Sequence, residues 1–237
     1  PNNYLFITGV DGNYNNLANA TYEANAIFLD GTMATITIDG RKSDFIDDKN
    51  TDTTSDDESI LMGDERDATV NRWFTYSVNS SDVYTVSLVD IDAGNDLGQS
   101  DEDRTKVIDY KNYSTTDGAG KLVYGNDNTV YLTASIDDIK TASGRTDVVI
   151  DDVDSVAVGI DNVDIQPWSM ADVRADYPSA NGELSYGVYT LYDEDGYIIA
   201  MVVVGEDNGN NDSLVYVHSG SLSRVSWDET AEEWAWT

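Results

Sequence analysis

The chain has 237 residues, enough to bury a sizeable core in one or two domains, and its 45 acidic against 13 basic residues leave a formal net charge of -32. That charge argues against nucleic acid and anionic membrane faces as partners and favours hard cations. The absence of cysteine excludes disulfides, a thiol nucleophile and thiolate metal sites, while 40% hydrophobic content with fifteen Tyr and five Trp is too rich for a disordered acidic chain.

In chain order, short alternating runs predict strands over Tyr4–Val10, Tyr22–Leu29 and Met33–Ile38. Asp11-Gly12, Asp30-Gly31 and Asp39-Gly40 supply turns between them, and Asp30-Gly31 predicts a hairpin joining Ala26–Leu29 to Met33–Ile36. Residues 43–67 carry ten acids against two bases and read as a long solvated loop. Val70–Val78 and Val83–Val89 follow as strands. In Tyr84-Thr85-Val86-Ser87-Leu88 the period of two places one face in the core and one in water. Of the aromatic cluster Trp73, Phe74 and Tyr76, core building is the plainer reading and a sugar platform the sharper one.

A second acidic stretch, 90–104, is the expected domain boundary, giving an N-terminal β domain over 1–97 and a C-terminal β domain over 98–237. Beyond it, strands are predicted over Thr129–Ala134, Ser155–Ile160, Leu184–Tyr192, Tyr197–Val204 and Ser213–His218, with a turn at Asp195-Gly196. Helix is scarce: Pro167–Arg174 has room for two turns and Ser135–Lys140 for one. The expected fold class is all-β, two sandwich- or barrel-like halves joined by acidic loops. No run reaches the roughly 18 apolar residues of a membrane span.

Calcium takes six to eight oxygen ligands, so clustered Asp and Asn in turns suit it. Asp90, Asp92 and Asp96, with Asp101 eleven residues after the first, have the spacing outline of a calcium loop. Asn95 stands where such a loop has its glycine, and the final glutamate is missing. Asp151, Asp152 and Asp154, with Asp161 and Asp164, flank the predicted strand Ser155–Ile160 and form a second candidate for Ca2+. A solvated turn is the competing reading for each cluster, and for Asp193-Glu194-Asp195-Gly196 a simple β-turn is preferred. A lone His218 leaves no imidazole set for zinc and no elbow-borne Ser-His-Asp triad. Forty-five acids always contain two that a glycosidase needs, but these sit in Gly/Asn/Ser-rich turns instead of aromatic pockets, so no enzymatic role is expected.

Tyr4-Leu5-Phe6-Ile7-Thr8-Gly9 echoes Val215-Tyr216-Val217-His218-Ser219-Gly220, and each is followed by an aromatic strand start, Tyr22-Glu23-Ala24 and Trp234-Ala235-Trp236. Two readings stand. Strands ending in Gly look alike, or 213–237 begins the next copy of a domain-sized tandem module. Pro1 directly before a strand, and Trp236-Thr237 without a closing turn, fit an expectation of a piece excised from a longer chain. Trp234 and Trp236 share one face of their strand, to pack on the molecule's own core or to dock on a neighbouring module.

Tyr4-Leu5-Phe6-Ile7-Thr8-Gly9 and Tyr22-Glu23-Ala24-Asn25-Ala26-Ile27-Phe28, with Trp73-Phe74-Thr75-Tyr76-Ser77-Val78, Val130-Tyr131-Leu132-Thr133 and Tyr192-Asp193-Glu194-Asp195-Gly196-Tyr197-Ile198, resemble the β-rich repeat regions of large exported Gram-positive surface proteins that carry S-layer homology modules. The likeness is one of texture over most of the chain, and the wall-anchoring module itself is not in this sequence. It implies an extracellular, cell-surface structural β module of an S-layer or filament subunit. Its partners would be copies of itself or neighbouring modules, bridged by divalent cations. Two other readings remain open: an adhesin or carbohydrate-binding β module that takes glycans through exposed Tyr and Trp, and a halophile surface protein whose acidity answers molar salt.

Overall fold

The computed structural model describes residues 3–10, 20–47, 54–55, 57–59, 69–91, 97–99, 107–109, 114–116, 122–142, 145–160, 184–185, 188–204, 225–228 and 233–236. Its strands are β1 (Tyr4–Val10), β2 (Thr21–Phe28), β3 (Met33–Asp39), β4 (Ile46–Asp47), β5 (Glu58–Ser59), β6 (Arg72–Val78), β7 (Val83–Leu88), β8 (Gly98–Gln99) and β9 (Val107–Asp109). They continue with β10 (Ser114–Thr116), β11 (Leu122–Tyr124), β12 (Val130–Ala142), β13 (Arg145–Val158), β14 (Leu184–Ser185), β15 (Val188–Tyr192), β16 (Ile198–Val204), β17 (Val225–Asp228) and β18 (Glu233–Trp236). Among the described residues there is no α-helix, as the all-β reading expects.

Five strands close into a barrel in the order β1-β2-β3-β7-β6. All neighbours are antiparallel except β3 and β7, which run parallel from Thr37↔Val83. This is the five-stranded Greek-key connectivity of OB-type barrels. The β2–β3 hairpin turns at Asp30-Gly31 as the sequence predicts: Gly31 has φ 84°, and Phe28 N–H donates to Thr32 O across the turn at 2.9 Å. A bulge at Thr8, between the pairs Ile7↔Ala26 and Gly9↔Asn25, helps bend β1 around the barrel. Leu5, Ile7, Tyr22, Ile38, Phe74 and Val86 fill the interior.

The long 43–67 loop is anchored at its start, which corrects its reading as wholly solvated. Asp44 N–H donates to Val86 O and Asp44 O accepts from Leu88 N–H, both at 2.8 Å. That pairing aims Phe45 inward, where it meets Phe74 edge-on at 5.9 Å. One buried aromatic outweighs the polarity of its neighbours, because burying a phenyl ring is worth about 1.5–3 kcal/mol.

A six-stranded sheet follows in the order β14-β13-β12-β16-β15-β8, with β12 parallel to β16 and β13 parallel to β14. The expected helical turn over Ser135–Lys140 is instead part of β12. There the backbone pairs with β13 from Ser135↔Asp152 to Lys140↔Asp147, through two register shifts. A continuous ladder of cross-strand pairs overrides the weak helical preference of so short a segment.

Both faces of this sheet are buried near its centre. Ala200, Val202 and Val204 point to the barrel, where they join Tyr4, Phe6 and Trp73 in one core. Ile198, Met201 and Val203 point the other way and pack with Val123, Tyr131 and Tyr192. This explains why β1 and β16 read as unbroken apolar runs instead of alternating ones. Residues 1–206 therefore form one compact unit and 207–237 a second, so the boundary placed at 97/98 falls where barrel strands give way to sheet strands that share a core with them. In the second unit β17 and β18 pair with Trp227 opposite Trp234 and Val225 opposite Trp236. The strand predicted at Ser213–His218 and the helical turns at Pro167–Arg174 lie outside the described residues.

Two polar side chains complete the seam between barrel and sheet. Gln99, buried on β8, accepts from Trp73 N–H at 2.9 Å and donates to Trp73 O at 3.0 Å and Val89 O at 2.7 Å. Trp73 Nε1–H donates to Tyr189 O in β15 at 3.0 Å. Asn71, at φ 58°, donates its backbone N–H to Ile7 O at 2.7 Å within the barrel and its side-chain amide N–H to the Tyr189 hydroxyl of the sheet at 3.4 Å.

Two substitutions test this architecture. Gln99→Leu leaves the Trp73 N–H and Val89 carbonyl without their buried partner, and should cost roughly 2–4 kcal/mol in urea unfolding. Gly31→Ala meets a positive φ and drives its new methyl into the Val156 side chain of β13. It should lose about 1–3 kcal/mol in the same assay, whereas Gly9→Ala, with only ordinary van der Waals contact to Asn25, should lose less.

Candidate functional site

The seven acidic residues singled out as calcium ligands separate by location. Asp90 is half-buried between Val89 and Ile91, and its backbone carbonyl accepts from Gln99 N–H at 2.9 Å. Asp92, Asp96 and Asp101 lie outside the described residues. Asp151, Asp152 and Asp154 are exposed, and they lie within β13 instead of flanking it, because the strand begins as early as Arg145. Asp152 Oδ1 accepts from the adjacent Val153 N–H at 2.8 Å. Among the described residues no three metal-ligating side chains converge.

Asp193 shows what many of the turn acids do. Its Oδ1 accepts from Asp195 N–H at 3.0 Å and Tyr197 N–H at 2.9 Å, while Gly196, at φ 83°, closes the turn. Asp30, Asp39, Asp44 and Asn79 each accept a backbone N–H two residues on in the same way. These side chains satisfy turn backbones, which is the solvated-turn reading of such clusters.

The edges of the six-stranded sheet are a second feature. The barrel is closed and has no edge, but the sheet ends in two-residue strands, β14 and β8. On its outer side β13 pairs with a described strand only at Thr146 and Asp147. Further along, Asp151 and Asp152 are exposed, and so are Val156 at 42% and Val158 at 51%. Short outer strands and charged side chains are the usual means of blunting a sheet edge.

The third feature is a groove of about 290 Å³ at one mouth of the barrel. Its lining comes from the start of β1 (Asn3, Tyr4), the end of β2 with its turn (Phe28, Leu29, Asp30, Thr32) and Tyr76 of β6. Phe28 and Tyr76 meet edge to face, centroids 5.5 Å apart and planes at 79°. Tyr84 of β7 lies 5.5 Å from Tyr76 and 6.2 Å from Phe28. Thr32 N–H donates to Asp30 Oδ1 at 2.9 Å, and the hydrogen bonds from Thr32 hold the Asp30 carboxyl below the usual carboxylate range. Burial, then the nearby Tyr84 and Asp30, push the Tyr76 phenol above its ordinary value. Reading Tyr76 with Trp73 and Phe74 as one cluster hides this corner. Trp73 and Phe74 are fully buried in different cores, whereas Tyr76 is half-buried and packs with Phe28 and Tyr84.

Comparison with known proteins finds no match to a family model, a curated protein or a solved structure.

Burial raises the Tyr22 phenol well above its usual value near 10. Well below pH 10 the phenol is protonated in both folded and unfolded chains and contributes no pH dependence. Above it the unfolded chain releases the proton while the native barrel retains it, so native stability falls as pH rises. Urea midpoints between pH 9 and 11.5 should therefore decline, and Tyr22→Phe should flatten that decline.

Proposed function

We propose that this chain is a structural, extracellular β module of a self-assembling bacterial surface protein, an S-layer or filament subunit with no catalytic role. Its contacts are stabilised by calcium. The observation that carries the reading is the outer edge of β13, a long strand that carries the exposed Asp151 and Asp152 and pairs with a described strand only near its start. A strand edge of this kind accepts another strand, while the charge on it opposes the approach of a second copy.

With a net charge of -32, two copies repel until counter-ions gather between them. Divalent cations bound among carboxylates of facing copies lower that repulsion and let the strand edges or apolar side chains meet. The texture shared with exported repeat proteins points the same way. An assembly reading also asks little of any single acid, in keeping with turns whose carboxylates already accept backbone hydrogen bonds.

Negative-stain electron microscopy of the purified chain tests this. Ordered sheets or filaments should form with millimolar calcium and disperse with chelator, and Asp151→Asn with Asp152→Asn should lower the calcium requirement. Assembly indifferent to chelator would remove the cation from the reading, and particles that stay monomeric under every condition would remove assembly itself.

A further inference from the structure

The groove at the barrel mouth has a chemistry of its own, independent of assembly. We propose that it is a binding site for an alkylated ammonium group, with Phe28 and Tyr76 as its walls and Asp30 as its counter-ion.

The walls stand at 79° to one another, so they form a corner instead of a flat platform. A corner of two rings surrounds a compact, roughly spherical group, whereas the flat face of a sugar ring is best met by one open aromatic plane. Aromatic faces carry negative potential and attract a cation within about 6 Å of the ring centroid. Tyr84, packed against both rings, backs the corner and fixes their angle.

Asp30 supplies the opposite charge. It is exposed at the groove and oriented by the Thr32 N–H, which stabilises its ionised form. The remaining lining is apolar or neutral, from Asn3, Tyr4, Leu29 and Thr32, so no basic side chain of the lining competes for the carboxylate. The same inventory disfavours other occupants. A hard metal ion needs six or more oxygens, and the lining has a single carboxylate beside aromatic walls. An anion meets Asp30 and a strongly acidic chain.

Alkylation matters because an ammonium bearing methyl groups is weakly hydrated. It gives up little on leaving water and presents carbon surface to the rings, whereas a bare ammonium ion keeps its water. Choline-type headgroups and the side chain of trimethyl-lysine both carry this group.

Titration of the isotope-labelled full chain with tetramethylammonium chloride, followed by NMR against sodium chloride of equal concentration, tests the assignment. Saturable shifts should centre on Phe28, Asp30 and Tyr76, with ammonium chloride giving none. Asp30→Asn should weaken binding roughly tenfold, since it removes the only charge in the lining. Tyr76→Phe keeps the ring and should hold affinity within about twofold, while Tyr76→Leu should abolish binding in a chain that circular dichroism shows to be folded. Parallel titrations with choline and trimethyl-lysine identify the carrier through the tighter of the two. The proposal is overturned if tetramethylammonium gives no saturable shifts, if Asp30→Asn binds as well as the parent, or if Tyr76→Phe alone abolishes binding. Shifts at these residues with N-acetylglucosamine but not with tetramethylammonium would overturn it equally.

Discussion

Trp73 takes part in both halves of the main unit at once. Its backbone lies in the barrel wall opposite Phe6, its ring packs among side chains of barrel and sheet, and its indole N–H ends on a carbonyl 116 residues away. Beyond Leu88 the neighbouring strand β7 has ended, so only Val89 N–H continues the ladder, donating to Trp73 O at 3.1 Å. The Gln99 carboxamide fills the place of the missing strand, accepting and donating as a peptide group would. A buried peptide group left without such a partner costs a few kcal/mol, comparable to a sizeable share of a domain's net stability. The joint therefore requires both the apolar mass of Trp73 and the polar fit of Gln99.

Around that joint the chain resolves its charge by position. The three cores are built from aliphatic and aromatic side chains, while many of the described carboxylates occupy turns, where they accept backbone N–H groups, or exposed strand positions such as Glu23, Asp151 and Asp152. Acids placed this way lose little hydration on folding, so their mutual repulsion is the main cost, and it is screened within about 8–10 Å at moderate salt. Arg41 and Lys42 both approach Asp39 at the barrel's third turn, yet all of these are surface pairs that contribute little.

Much of this was legible in the sequence, for reasons that are local. The alternation in Tyr84–Leu88 and the Asp-Gly turns encode strand period and positive φ directly, and these placed the β2–β3 and β15–β16 hairpins. Unbroken runs at β1 and β16 revealed strands, but not that each is sandwiched between two cores. The misses depend on partners distant in sequence. Phe45 and Ile46 stand between Asp44 and Asp47, and only the approach of β7 shows that Phe45 is the one buried. Ser135–Lys140 looks helical until β13 pairs with it, and Gln99 looks like surface until the end of β7 leaves a gap beside Trp73. The mouth corner escaped for the same reason: Phe28, Tyr76 and Tyr84 belong to three strands, and no spacing joins them. The acids had the reverse problem, since 45 of them offer too many groupings for spacing alone to choose among.

The connectivity also sets the order in which this molecule must assemble itself. The β2–β3, β6–β7 and β12–β13 hairpins pair neighbours in the chain and form quickly. Barrel closure joins Leu5 to Phe74, and the parallel pair β12–β16 joins Val130 to Ala200, each demanding that a long intervening chain be held in a loop first. Such non-local pairings slow folding by orders of magnitude relative to helical bundles. Until they close, the apolar faces of β1 and β16 have no cover, and the aspartates strewn through the connecting segments hold the half-made chains apart. An excess of negative charge that gains the native state little is thus well suited to the interval before it exists.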